Sequence, residues 1–169
     1  GSEGLVLLPY FLGQRSPEFN PQASGVFFGL RKGHTRGHLY RAILESFGFN
    51  IRHGLESFYP QGHPIKRLIA TGGGARSPIW RQIVSDITGL SQEYVPEADA
   101  PIGCAYLAGL ALGWFEDFKP LQNDWVKVEA ITRPDPETSD QYEAAYQIYL
   151  DLHTALRPVF ERSTIPQFD

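Results

Sequence analysis

A change of hydrophobic period constrains this chain more than any other feature. Up to residue 30 the apolar residues come in short runs, and from Thr35 they recur every fourth residue, at Leu39, Ile43, Phe47, Ile51 and Leu55. That spacing predicts one stripe along a helix that stops before Pro60. The runs ahead of it read as strands: Leu5 to Phe11, closed by Gly13, and Gly25-Val26-Phe27-Phe28-Gly29-Leu30, rich in strand formers and bracketed by glycines. Gly13-Gln14-Arg15-Ser16-Pro17 and Asn20-Pro21 form the loop between them. The alternation then repeats. Lys66 to Thr71 is a short strand running into Gly72-Gly73-Gly74, and Ser77 caps a helix that opens on Pro78, buries Ile79, Ile83 and Ile87, and ends at Gly89. Gln92 to Val95 is another short strand, and Asp99 or Ala100 caps a third helix over Pro101 to Phe115. A last helix, Glu137 to Phe160, sets Tyr142, Tyr146, Tyr149, His153, Leu156 and Phe160 along one side. Strands alternating with helices define an α/β domain with a layered sheet.

The length suits one domain, 1-169, with a core over 1-115, an irregular connector over 116-136 holding Pro120, Pro134 and Pro136, and a C-terminal helix over 137-162. A formal charge of -4 argues against a broad nucleic-acid-binding face. The longest uncharged apolar stretch, Ala100 to Phe115, has 16 residues. A membrane-spanning helix needs roughly 20. The single cysteine, Cys104, permits neither an internal disulfide nor a multi-cysteine zinc site, which favours a reducing, cytoplasmic setting. Between Gly103 and Ala105 it reads as a small buried hydrophobe. There is no methionine, even at position 1. The chain is therefore expected to be an internal piece or a processed product of a longer protein, with part of the active machinery elsewhere.

The strand, triple glycine and helix from Leu68 to Thr88 carry the strongest chemical signal. Glycines let a ligand lie on bare backbone, and the helix that follows points free N–H groups and the positive end of its dipole at the same spot. An anion or a nucleotide suits such a place. The Gly-Lys-Ser/Thr ending of a P-loop and the spaced G-x-G-x-x-G of a dinucleotide fold are both absent, and Pro78 removes one donor. A tight turn that holds no ligand would use the same glycines.

Gly25-Val26-Phe27-Phe28-Gly29-Leu30, seven residues and then His38-Leu39-Tyr40-Arg41-Ala42-Ile43-Leu44-Glu45 resemble a signature of the FGGY family of carbohydrate kinases. Leu8-Pro9-Tyr10 before Gly13-Gln14-Arg15-Ser16-Pro17 is similar to the family's Pro-Tyr and Gly-Glu-Arg-x-Pro loop, with Gln14 where glutamate is usual. Thr71-Gly72-Gly73-Gly74-Ala75-Arg76-Ser77-Pro78-Ile79-Trp80-Arg81-Gln82 resembles its nucleotide loop, and Ile102-Gly103-Cys104-Ala105-Tyr106-Leu107-Ala108-Gly109 its small-residue helix. Within the family the strings look closest to the xylulokinase-like pentulose kinases. The resemblance implies the C-terminal of two ribonuclease H-like, actin-like domains, with a mixed sheet flanked by helices, that close on ATP and a sugar. It implies that the catalytic aspartate, most sugar contacts and the first phosphate loop belong to an N-terminal domain outside this chain. No catalytic residue is then expected here. The part carried is a nucleotide shelf of Gly72, Gly73, Gly74 and Ser77, with Arg76 a weaker candidate. Mg²⁺ would bridge the phosphates of ATP, and half a site would do almost nothing by itself. ATP or ADP and, through the N-terminal domain, a sugar are the implied partners, with a homodimer of the parent enzyme as a further one.

Other residues read more plainly. His34, His38, His53, His63 and His153 lack a metal-ligand spacing on one face, apart from His34 with His38 at the proposed helix start, so no metal site is expected. Glu45 and Asp86 sit on helices among polar neighbours and are expected to be solvated or salt-bridged. Trp80 is expected to pack, one turn into its helix, where it also suits covering the glycine loop. Two other classes compete with a kinase. A nicotinamide-dependent oxidoreductase would need an acidic residue about 20 residues beyond the glycines. Only Glu93 and Glu97 offer one, and the glycine spacing is wrong. A non-catalytic interaction or dimerisation domain would use the small-residue helix, Gly103 to Gly113, as its contact surface.

Overall fold

Leu5-Val6-Leu7-Leu8 lacks polar alternation because both of its faces are covered. In the computed structural model, which describes residues 1–58, 65, 67–96, 98 and 100–162, strand β1 (Val6–Leu8) lies between two long helices, α1 (Arg36–Phe58) and α5 (Ser139–Arg162). Leu5 and Leu7 pack with Leu39, Ala42 and Ile43 of α1, while Val6 and Leu8 join Phe49 and the tyrosines of α5. A strand covered on both faces reads as a continuous apolar run. Strand β2 (Val26–Phe28) pairs antiparallel with β1, Val6 opposite Phe28 and Leu8 opposite Val26. Phe27 and Phe28 keep exposed surface.

The second sheet contains β3 (Leu68–Ala70), β4 (Gln92–Tyr94) and β5 (Ala130–Thr132). β3 and β4 are parallel, joined through α2 (Gly72–Ala75) and α3 (Pro78–Thr88), as a parallel pair needs a crossover connection. β5 pairs antiparallel with β4, which makes the sheet mixed. Helix α4 (Ala100–Ala111) follows β4. The connector expected to be irregular is therefore partly ordered: it holds a π-helical turn, Leu121–Trp125, and β5. Ala130-Ile131-Thr132 is too short a run to show strand periodicity without its partner.

Three burial expectations change. The every-fourth-residue stripe of α1 is only partly covered, and Phe47 stays 39% exposed. The buried face carries Ala42, Glu45, Ser46, Gly48, Phe49 and Gly54 instead. A four-residue step overshoots one helical turn by about 40°, so a strict stripe winds off any flat contact. Close helix contact then selects small residues, and Gly48 meets Ile87 of α3, whose Cδ1 would lie 2.6 Å from an added Cβ. Ile79, expected in the α3 core with Ile83 and Ile87, is exposed, because in the first turn of α3 it is the neighbouring Trp80 that meets Leu44 and Phe47 of α1. Cys104, expected to be buried, is exposed. Tyr106 and Gly109 are the buried residues of α4 among those described, because only that side meets Phe115 and the turn beyond it. The tyrosine side of α5 is as expected, with Tyr142, Tyr146, Tyr149 and Phe160 in the core. Pro60, His63, Lys66, Glu97 and Asp99 lie outside the described residues. Among the described residues no helix is long and apolar enough to cross a membrane.

Candidate functional site

Where β3 ends, the chain enters the glycine turn under tight backbone control. Val95 N–H donates to the Ala70 carbonyl at 3.0 Å, and Thr71 Oγ1 donates to the Ala98 carbonyl at 2.8 Å. The glycines, expected as a turn, form the single helical turn α2. It closes through Arg76 N–H to the Gly73 carbonyl, 3.3 Å, and Ser77 N–H to the Gly74 carbonyl, 3.1 Å. Ser77 then caps α3: its Oγ accepts from Trp80 N–H at 3.3 Å, and Pro78 fills the first helical position. That bond satisfies one of the donors a helix start leaves free. The Ser77 hydroxyl hydrogen remains available to donate. Gly72, Gly73, Gly74 and Ser77 thus lie together on one exposed edge.

The three glycines are glycine for different reasons. Gly72 has φ +80°, a left-handed conformation that costs other residues about 1 to 2 kcal/mol. Gly74 has the Trp80 ring directly beneath it, and an added Cβ would collide with that ring. Gly73 has neither constraint: its φ is not left-handed, and a Cβ built there meets nothing within 4 Å.

Two consecutive side chains support the turn from below. Trp80 donates its Nε1 hydrogen to the Leu44 carbonyl of α1 at 3.3 Å. Arg81 donates to the Ala75 carbonyl at the end of α2, and its guanidinium stacks 4.2 Å over the Tyr94 ring of β4. An apolar cavity of about 210 Å³ lies beside them, lined by Ile51, Leu68, Ala75 and Val84. Sequence reasoning gave Arg81 no role. Its signal was only its position six residues beyond the carbonyl it grips.

The loop at Gln14 is a separate place. Gln14 is buried, with its Nε2 3.0 Å from His153 Nε2 of α5. His153 and His53 rings lie 5.0 Å apart, and burial holds both below the ordinary histidine pKa, for His53 with help from the neighbouring His153 charge. Tyr10 OH and Tyr149 OH share a hydrogen bond of 3.1 Å, and burial pushes Tyr10 up to about 12. His34 and His38 each spend Nδ1 on a backbone N–H, of Arg31 and Thr35 respectively, both at 2.9 Å. Glu45 is buried and salt-bridged to Arg41 at 2.7 Å, and also accepts from Ser2 and Tyr142. Asp86 accepts from Gln82 at 2.7 Å and from Asp135 N–H at 2.8 Å. Both carboxylates are structural. Glu93, a residue the dinucleotide reading needed, is held by Arg67 at 2.6 Å. Arg76 is exposed.

The α/β domain with a mixed sheet flanked by helices is of the ribonuclease H-like class to which its structural neighbours point, and comparison with known proteins specifies it. A family model described as the FGGY family of carbohydrate kinases, C-terminal domain, matches residues 1–112. The chain belongs to that family. It is 31% identical over 150 residues to a xylulose kinase of Staphylococcus epidermidis, covering 88% of this chain and 30% of that protein. It is 33% identical over 159 residues to a gluconokinase of Bacillus subtilis, covering 92% and 31%. The ligand-bound xylulose kinase of Lactobacillus acidophilus superimposes with a TM-score of 0.86 at 25% identity, over 96% of this chain and 33% of that one. The chain therefore spans about a third of the length of these relatives.

Proposed function

We propose that this domain is the nucleotide shelf of an ATP-dependent sugar kinase, which transfers the γ-phosphate of ATP to a sugar hydroxyl, the sugar being a pentulose such as xylulose. The observation that carries this reading is Gly73. The fold itself calls for glycine at positions 72 and 74, through backbone angle and through Trp80, but it has room for a side chain at position 73. A residue kept bare without an internal reason points to something approaching from outside. The nucleotide lies along Gly72 to Gly74, with the Ser77 hydroxyl as a further donor. Kinases among the relatives support the activity, and the xylulose kinase relatives support the pentulose.

The domain's share of the chemistry is placement. Phosphoryl transfer depends on aligning donor and acceptor and on stabilising charge, and a rigid backbone shelf supplies the first of these for ATP. Mg²⁺ does not find a ligand set on the turn: residues 71–77 include no carboxylate. On this reading the catalytic aspartate and most sugar contacts, as the family resemblance implies, belong to an N-terminal domain of the same parent chain.

A titration followed by nuclear magnetic resonance tests the site. ADP should shift the amides of Gly72 to Ser77 with affinity in the high micromolar to millimolar range, about 4 to 6 kcal/mol. Shifts with NADH and none with ADP would replace the kinase by an oxidoreductase.

A further inference from the structure

We propose that Trp80, with Arg81 beside it, is a positioning residue for the triple-glycine turn, holding Gly72 to Gly74 in the shape the nucleotide meets. The proposal rests on the nucleotide reading of that turn. Three consecutive glycines have more backbone freedom than any other tripeptide, and a ligand that had to freeze them would bind weakly. Support before binding removes that cost.

The structure supplies the support from two elements. Trp80 fills the space below Gly74, so the turn rests on an aromatic ring with no side chain between. A ring alone could rotate. Here the indole N–H is bonded to the Leu44 carbonyl of α1 at 3.3 Å, and Phe47 meets the ring edge-on, 6.5 Å between centroids at 89°. Arg81 grips the other end of the turn at the Ala75 carbonyl. Its guanidinium is fixed over Tyr94, and Gln92 Nε2 donates to its main-chain carbonyl at 2.7 Å. One face of the turn is thus tied to α1 and to β4 through adjacent residues of α3, and the opposite face at Gly72 and Gly73 is left open.

ADP affinity and melting temperature, measured together on the full-length protein well below every variant's melting point, test this. Trp80→Phe keeps a ring under Gly74 but loses the N–H, and should weaken ADP by about twofold to fivefold, the upper end being the full net worth of the hydrogen bond, which is also made without ADP. Trp80→Leu removes the ring, and should raise the ADP Kd about tenfold or more while the sugar KM stays within about twofold. Phe49→Leu serves as control, because Phe49 is in the core around β1 and α5. It should lower the melting temperature and leave the ADP Kd unchanged. If Trp80→Leu does not fold, Trp80→Phe carries the comparison alone. ADP binding that Gly73→Ala weakens and the Trp80 variants do not would overturn the brace and keep the site. Equal weakening by Phe49→Leu and the Trp80 variants would also overturn it. ADP binding unmoved by Gly73→Ala would remove the site reading and the proposal with it.

Discussion

The tyrosine face of α5 and the glycine turn are built on opposite principles. On α5, large side chains fill the interior and each phenol finds a partner: Tyr149 donates to Asn50 at 3.3 Å, Tyr146 to Glu56 at 2.7 Å and Tyr142 to Glu45 at 3.1 Å. Burial raises all three phenol pKa values, Tyr142 to about 12, so they stay protonated as donors. At the turn the interior contributes Trp80 and Arg81, and the outer side is bare backbone. Residue choice on α5 is decided from within the fold. At Gly73 the fold sets no such requirement, and the proposed nucleotide would supply it.

The widest separation between the two regions should come from Tyr149→Ala. Tyr149 is fully buried, and truncation should cost about 3 to 5 kcal/mol while leaving Tyr10 and Asn50 short of a partner. Denaturant unfolding measures the loss, and the ADP Kd of the folded fraction should not move. A smaller effect is expected for Gly74→Ala. Its methyl group would press into Trp80 and cost about 1 to 3 kcal/mol. In the Gly74→Ala/Trp80→Leu double variant the collision is relieved, so the two changes should be less costly together than their sum. Additive losses would show that Trp80 does not press on the turn.

Acidification should act on the first region and spare the second. The folded pKa of His53 and His153 lies below the unfolded value of about 6.5, because burial disfavours the charged ring. Arg157 adds to the lowering at His153, while Glu18 opposes it at both rings and Glu56 opposes it at His53. The folded state then binds fewer protons than the unfolded state. This stability is present above about pH 6.5 and is lost as pH falls through that value toward the folded pKa. Melting temperature should therefore drop between pH 7.5 and 5 by more in the unsubstituted chain than in Gln14→Glu. A carboxylate in place of the Gln14 amide, which lies 3.0 Å from His153 Nε2, would raise the pKa of that histidine. Identical pH profiles would show that Gln14 does not set the histidine's charge.

How much of this was legible in the sequence depended on how local the cause was. Ser77, Pro78 and Gly89 announced α3 because caps act within one turn. The α5 tyrosines kept helical spacing, so their common side could be read. The buried face of α1 could not, because it is set by the approach of α3 at Gly48 and by β1, partners distant in sequence. β5 was hidden because a three-residue strand exists only through its pairing with β4. The triple glycine was visible as a candidate site, but three glycines look alike in a sequence. Their different reasons appear only with the φ of Gly72 and the ring under Gly74.

The central claim is that Gly73 is bare for a nucleotide, and Gly73→Ala in the full-length enzyme tests it most directly. A methyl group there meets open space and needs no unusual backbone angle, so the melting temperature should stay within about 1 °C, as for a neutral surface change. On the proposed reading it stands in the nucleotide's path, so the apparent KM for ATP should rise about tenfold or more, equal to about 1.4 kcal/mol, with the sugar KM little changed. Unchanged ATP kinetics with a lowered melting temperature would contradict the account and leave the turn as structure alone.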